Sequence, residues 1–240
     1  MIGPAPWIVA VTIPLALGGV ALLLGWVRRS GFALGVPVGV FVLRAGGVPA
    51  FAILGAFFLL GTGLTRLGYA RKAARGVAEA MGGRRGAAHV AANCAVALAV
   101  LAIGAFVDRG VVSSGLLAAA YAGAFAAAAS DTASSEVGQL YGRRTFSPWT
   151  WRPRPVGAPG AVSLEGTAAG AAAAAVIGLV AWGVGWVDLR GAWAVALGGF
   201  VGNWLESLAG AQGRRALPHG ALNLANTAVG AGVAALLRGF

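Results

Sequence analysis

The sequence predicts an all-α membrane protein, a polytopic helical bundle with about eight spanning segments. Of its 240 residues, 58% are hydrophobic and only 10% are charged, and the mean hydropathy is +0.80. Soluble domains carry about 25% charged residues, so this composition excludes an ordinary soluble domain. The 40 glycines suit helices that pack closely in lipid through small residues.

Apolar runs near the ~20 residues that a spanning helix needs follow one another along the chain. They cover residues 6–27, 31–48, 49–66, 88–107, 111–135, 162–187, 191–212 and 221–237. Glycines, Pro37, Arg44 and Pro49 interrupt the second and third runs, so a tight or re-entrant hairpin is an alternative to two full spans. No cleavable signal peptide is expected, because the N-terminus lacks a basic region. The single cysteine, Cys94, excludes an internal disulfide.

Lysine and arginine are unequally distributed between the loops. Fourteen of the 18 follow segments one, three, five and seven, including Arg214 and Arg215, and four, including Arg109, lie elsewhere. By the positive-inside rule, the basic loops face the cytoplasm and both termini lie outside. We therefore expect one domain, residues 1–240, in the cytoplasmic membrane. Its helical hairpins would have basic cytoplasmic tips. Because these loop positions account for the net charge of +11, the charge does not indicate a nucleic-acid partner.

A weak internal repeat relates residues 111–187 to residues 191–237. Residues 163–171 align with residues 223–231 with five identities in nine positions. Because alanine and glycine are abundant throughout the chain, duplication and chance similarity both stay open.

Polar residues within the segments gather at the predicted cytoplasmic ends. Asp131 and Glu136 end the fifth segment, and Glu206 lies near the end of the seventh. An ionised carboxylate in hydrocarbon costs roughly 2.5–3.5 kcal/mol or more, so these acids indicate a functional site. Asp131 and Glu136 lie about 140° apart on an ideal helix. Binding one metal together would require an unwound turn, approaching Gly138.

Carboxylates with Asn, Ser and Thr form a hard oxygen environment, which suits Mg²⁺. One cysteine and two histidines do not make a zinc cluster. Basic loops supply donors for phosphate oxygens, and the glycine-containing loop 157–160 precedes a helix whose N-terminus can receive an anion. Together these features predict phosphoryl or nucleotidyl transfer to a lipid at the cytoplasmic leaflet, with the lipid tail in apolar grooves between helices.

The predicted site residues fall into two groups. The expected catalytic residues and metal ligands are Asp131, Glu136 and Glu206. The residues expected to bind nucleotide, phosphates and substrate are Arg71, Lys72, Arg84, Arg85, Asn93, Thr132, Ser135, Gly157, Gly160, Ser163, Asn203, Ser207, Gln212, Asn223 and Asn226. The structural alternatives are topology signals for the basic residues and interhelical hydrogen bonds for the asparagines.

Four motifs, at residues 130–138, 157–166, 202–212 and 223–226, give the chain from about Phe32 onward a family resemblance. It resembles the integral-membrane phytyl-phosphate kinase family. The resemblance implies phosphoryl transfer from a nucleoside triphosphate, with CTP as the expected donor, to an isoprenyl monophosphate such as phytyl phosphate. It also implies that Asp131, Glu136 and Ser135 are core site residues. Glu206 stands where the family usually has Asp, and Ala158 and Ala161 make the loop less glycine-rich than the family pattern.

Several alternatives to the kinase stay open from the sequence. A CTP-dependent cytidylyltransferase acting on a lipid phosphate would need a similar site. An ion-coupled transporter would need polar residues through the membrane midplane, whereas a lipid-binding scaffold would bind no nucleotide. The expected partners are the lipid phosphate, the nucleotide and the bilayer, with a homodimer as one open assembly.

Overall fold

In a computed structural model of the chain, long helices occupy the predicted segments. The structure describes residues 6–106, 114–212 and 219–239. The helices are α1 (Trp7–Leu23), α2 (Arg29–Arg66), α3 (Tyr69–Ala74), a short 3₁₀ helix (Ala80–Gly83), α4 (Ala87–Phe106), α5 (Ser114–Tyr141), α6 (Leu164–Gly183), α7 (Leu189–Gly210) and α8 (His219–Gly239). Within the described ranges, β-pairing is limited to isolated bridges. The all-α prediction is confirmed.

Within the described ranges, five helices, namely α2, α4, α5, α6 and α8, are long and apolar enough to cross a membrane. Helix α1 is apolar but has only 17 residues. The count of eight spans therefore stays a prediction. Arg109, Arg214 and Arg215, which contribute to the predicted charge distribution, lie outside the described residues.

Helix α2 is a hairpin of two arms that correspond to the second and third predicted segments. The helix breaks at Gly47, which has φ 69° and ψ −165°, and Pro49 follows without a backbone N–H to continue the helix. A Cβ at Gly31 would overlap the Arg85 carbonyl, and one at Gly61 would overlap the Arg85 guanidinium. An unbroken helix would separate these two glycines by ~45 Å. Both arms therefore return to Arg85, so the second and third segments form a hairpin, and whether each arm spans the membrane stays a prediction.

Helix α5 is the central helix of the bundle. Its residues from Ala118 through Ser130 are all buried, and α2, α4, α6, α7 and α8 pack around it. A Cβ at Gly199 of α7 would lie 2.6 Å from the Cβ of Ala126 of α5, and a Cβ at Gly230 of α8 would lie 2.6 Å from the Cβ of Ala127. Only small residues allow backbones to approach this closely, which explains the alanine and glycine content.

The loops after the first, third, fifth and seventh segments come together at one end of the bundle, the polar end. The Arg28 N–H donates to the Arg85 carbonyl at 2.9 Å. The Arg75 guanidinium donates to the Gln139 carbonyl at 2.9 Å, and the guanidinium of Arg154 donates to the carbonyl of residue 211 at 3.4 Å. The predicted grouping of these loops is thus present. The side of the membrane that the polar end faces stays a prediction.

Candidate active site

At the polar end, α5, α6, α7 and the loop 142–163 enclose a cavity of about 440 Å³, the carboxylate cavity. Its volume lies within the ~300–1,000 Å³ range of small-molecule sites. Helix α5 contributes Asp131, Ser134 and Ser135, and α7 contributes Asn203, Glu206 and Ser207. The described lining contains no Lys or Arg, so carboxylate, hydroxyl and amide groups provide its polar chemistry.

The loop over the carboxylate cavity is fixed at both of its ends. The backbones of Phe146 and Val162 exchange hydrogen bonds of 3.0 and 2.9 Å. Gly160, with φ +67°, packs so closely against Ala211 that a Cβ would overlap the backbone there. Ser163 caps α6 by accepting a 3.1 Å hydrogen bond from the backbone N–H of residue 166. The first turn of α6 therefore lies along the cavity wall, where the partial positive charge of a helix N-terminus favours an anion.

Two carboxylates, Asp131 and Glu206, face the same cavity and interact electrostatically. The Asn226 side chain lies beside the Glu206 carboxylate and donates to the Ala127 carbonyl at 3.3 Å. Two neighbouring carboxylates that are partly shielded from water are a suitable environment for a divalent cation, because the cation would favour their ionised forms. Mg²⁺ commonly binds through one or two carboxylates, with water and substrate phosphates completing its octahedron. The residues present therefore fit this ion.

The third predicted ligand, Glu136, is instead paired with a lysine. Its carboxylate accepts from the ammonium of Lys72, whose side chain is 0% exposed. The Lys72 ammonium also donates to the carbonyls of Leu64 at 3.2 Å and Thr65 at 2.9 Å. Because an ammonium has three N–H donors, these three acceptors satisfy it. In this structure, the pair fixes α3 against α5 and leaves no Lys72 donor for a phosphate.

The arrangement of acids thus differs from the expected single cluster of Asp131, Glu136 and Glu206. Among the described residues, no three Asp, Glu, His or Cys side chains form a group that could hold a metal. The physical reason is that α5 stays helical through Tyr141. No unwound turn near Gly138 rotates Glu136 toward Asp131. The three-carboxylate ligand set is therefore not assembled in this structure.

A second cavity of about 140 Å³, the arginine cavity, also borders α5. Arg84, Arg85 and His89 line it, and the His89 ring lies 3.1 Å from the Glu79 carboxylate. Burial lowers the pKa of Arg85, whereas the nearby carboxylates of Glu79, Glu136 and Asp131 act in the opposite direction. Since arginine stays protonated in proteins, Arg85 is a partly desolvated cation.

The two cavities share one wall. Asp131, Ser135 and Gln139, spaced at i, i+4 and i+8 on α5, line both of them. Residues at this spacing lie along one face of a helix. A ligand in the carboxylate cavity and another in the arginine cavity would therefore meet along this face of α5.

The structure brings most of the predicted site residues to these cavities. The carboxylate cavity holds Asp131, Ser135, Gly157, Gly160, Ser163, Asn203, Glu206 and Ser207, and the arginine cavity holds Arg84, Arg85, Asn93, Asp131, Thr132, Ser135, Glu136 and Asn223. Four predicted residues line neither cavity. Lys72 and Asn226 are buried behind them, Gln212 is exposed, and Arg71 lies 5.8 Å from the Tyr141 ring centre.

Several lining residues are absent from the predicted site set, namely Thr65, Glu79, Gly83, His89, Ser134, Gln139, Thr145 and Thr167. A signal existed for two of them. Gln139 follows Ser135 by four positions, and Ser134 follows Asp131 by three, so each shares a helical face with a predicted site residue. The Ser134 hydroxyl donates to Asn203 Oδ1 at 3.2 Å, which links α5 to α7 beside Asp131.

The fold and the site define a helical integral membrane protein whose polar residues converge at one end of the bundle. Residues 12–221 match the family described as integral membrane protein DUF92, and the chain belongs to that family. This family match, together with the relatives described next, confirms the resemblance to the integral-membrane phytyl-phosphate kinase family.

Three relatives align over most of the chain. An uncharacterized membrane protein of Synechocystis is 36% identical over 95% of this chain and 90% of its own length. Protein VTE6, chloroplastic, of Arabidopsis thaliana is 32% identical over 92% of this chain and 68% of its own length. An uncharacterized membrane protein of Methanocaldococcus jannaschii is 31% identical over 83% of this chain and 81% of its own length. No solved structure matches the chain.

Proposed function

We propose that this protein transfers a phosphoryl group from a nucleoside triphosphate, CTP, to an isoprenyl monophosphate such as phytyl phosphate. One observation carries the proposal. The carboxylate cavity and the arginine cavity meet along Asp131, Ser135 and Gln139. A reaction between two phosphate-bearing substrates needs two such sites side by side. The resemblance to the phytyl-phosphate kinase family, together with the similarity to VTE6, supports a kinase role.

In this proposal, the carboxylate cavity binds the nucleotide. Asp131 and Glu206 would hold Mg²⁺, which neutralises charge on the triphosphate when it is bound. The N-terminal turn of α6, capped by Ser163, would receive a phosphate through its positive end. Asn203 and Ser207 line the cavity and supply neutral hydrogen-bonding groups. The lack of a described lysine or arginine in this lining makes the metal the main source of positive charge.

The arginine cavity would bind the monophosphate of the lipid. Arg84 and Arg85 donate to its oxygens, and His89 lies beside them. An anionic oxygen of that phosphate attacks the γ-phosphorus, and the bond between the γ-phosphorus and the β–γ bridging oxygen breaks. The products are the isoprenyl diphosphate and CDP. Because the attacking oxygen is already anionic, the chain needs to supply positioning and charge stabilisation rather than a strong general base.

Both polar cavities lie at the polar end, where the described loops carry most of the arginines. We propose that this end faces the cytoplasm, in the cytoplasmic membrane, with both termini on the outer side. The buried stretch of α5 from Ala118 to Ala129 is apolar apart from the Tyr121 hydroxyl. That stretch disfavours an ion-coupled transporter, which would need polar groups at the midplane.

Product analysis with labelled CTP tests the proposal. The purified protein in nanodiscs, given phytyl phosphate and Mg²⁺, should release CDP and form phytyl diphosphate. Release of pyrophosphate instead would establish the cytidylyltransferase alternative. Absence of nucleotide binding would favour a lipid-binding scaffold and overturn the kinase.

Asp131→Asn should lower kcat by ~10²-fold or more, as expected for removing one charge-stabilising group, because Asp131 borders both cavities. Asp188→Asn is the matched control. Asp188 lies at the opposite end, where it caps α7 and pairs with Arg238 at 3.1 Å, and its variant should keep full activity. If the two variants behaved alike, the site assignment would be refuted.

A further inference from the structure

A third cavity, the apolar groove, lies between α1, the two arms of α2 and the start of α4. Its volume is about 290 Å³. Apolar side chains such as Phe32, Phe51 and Phe58 line most of it. Neither the nucleotide nor the phosphates of the proposed reaction would use such a surface, so the groove requires a separate explanation.

The apolar groove and the arginine cavity have a common boundary. Arg85 and His89 line both of them. The Arg85 guanidinium lies 5.5 Å from the Phe57 ring centre, and its Nε atom is buried without a hydrogen-bond partner in the described part of the chain. A cationic group with unused donor capacity therefore lies where the hydrocarbon surface ends. An amphiphile with an anionic head and an apolar tail fits this arrangement, with its head in the arginine cavity and its tail in the apolar groove.

We propose that the apolar groove binds the isoprenyl tail of the lipid phosphate and that Gly35 and Gly55 determine the tail length it accepts. This inference rests on the proposed function. Bulk phospholipid is a weaker candidate occupant, because its phosphate carries a second substituent and offers fewer free oxygens to Arg85. The groove is also surrounded by hydrocarbon of equal polarity, so it selects by shape rather than by hydrophobicity.

Gly35 and Gly55 lie on opposite arms of α2, and both line the groove. A Cβ at either position would meet nothing within 4 Å, so a side chain there would extend into open groove without displacing the backbone. Gly55 is six residues from Gly61, which packs against Arg85, or ~9 Å along the helix. A long tail passes this level, whereas a dimethylallyl tail ends before it.

The test compares Gly55→Leu and Gly35→Leu with the wild type on phytyl phosphate and dimethylallyl phosphate. With phytyl phosphate, kcat/KM should fall tenfold or more, the order expected for overfilling a packed site. With dimethylallyl phosphate it should fall less than threefold. Gly232→Leu, at an exposed α8 position where a Cβ also meets nothing, should leave both values unchanged. Equal losses for both substrates, or no loss for either, would overturn the proposal.

A second measurement separates this inference from the proposed function, because it does not depend on turnover. A photoreactive isoprenyl phosphate with a diazirine at the tail end is crosslinked to the wild type, and the labelled peptides are mapped. Labelling of the groove-lining ranges 14–27 or 31–59, competed by phytyl phosphate but not by phosphatidylcholine, supports the groove assignment even if no CDP forms. CDP release with labelling elsewhere supports the kinase and refutes the groove. Labelling that phosphatidylcholine competes equally identifies bulk lipid as the occupant and also refutes it.

Discussion

The buried pair of Lys72 and Glu136 provides a sharp test of how this site is built. The side chains are 0% and 8% exposed, and the ammonium also donates to the Leu64 and Thr65 carbonyls. Removing one partner of a buried ion pair leaves the other charge uncompensated, at a cost of ~3–5 kcal/mol. Replacing both partners by apolar residues of similar volume is often nearly neutral.

Lys72→Met and Glu136→Gln should therefore each destabilise the protein by ~3–5 kcal/mol. The double variant Lys72→Met, Glu136→Leu should regain most of that loss. Reversible unfolding in mixed micelles measures these free energies, and the double-mutant cycle gives the coupling between the two positions. A loss below ~1 kcal/mol for both single variants would refute the structural role of the pair.

Activity measured on the same variants distinguishes the two roles proposed for Glu136. If the pair only fixes α3 against α5, the double variant should recover CDP release together with stability. If Glu136 is a metal ligand, as the sequence predicts, the double variant should be stable but inactive. The required Mg²⁺ concentration should then also rise in the Glu136→Gln variant.

Two further variants act through backbone packing. Gly61→Ala should displace the Arg85 guanidinium, because a Cβ at that position would overlap it. In steady-state kinetics, KM for the lipid phosphate should rise severalfold while KM for CTP changes little. Gly63→Ala is the control, because a Cβ there meets nothing. Gly160→Ala should lift the loop from Ala211, because it combines a φ of +67° with a backbone overlap. We expect it to cost ~1–3 kcal/mol and to raise KM for CTP rather than for the lipid. Unchanged KM values in either variant would contradict the cavity assignments.

Much of the candidate site could be predicted from the sequence because its signals are local. The length of each apolar run limits where a helix can cross the membrane, and the arginines mark the ends of those runs. Asp131, Asn203 and Glu206 could be predicted because an acid or amide within an apolar helix costs free energy in the membrane, so such a residue indicates a functional site. All three line the carboxylate cavity.

The pairing of Glu136 could not be predicted in the same way. Its partner Lys72 lies 64 residues away, on a short helix of six residues that is too brief to give a periodic signal. The sequence gives the angle between Asp131 and Glu136 on α5, but not which neighbour each side chain meets. The grouping of the three acids as one ligand set assumed an unwound turn that the structure does not contain.

The sequence by itself determined that this is a helical membrane protein, that its polar residues gather at one end, and which acids belong there. These properties depend on composition and on spacing along single helices. The tertiary structure alone decided how those residues are divided. Packing fixes the rotation of α5 between its neighbours, so Asp131 joins Glu206 in one cavity while Glu136 turns to Lys72. The same packing brings Arg85 to the boundary between the arginine cavity and the apolar groove, because contacts between distant segments form only when the helices assemble.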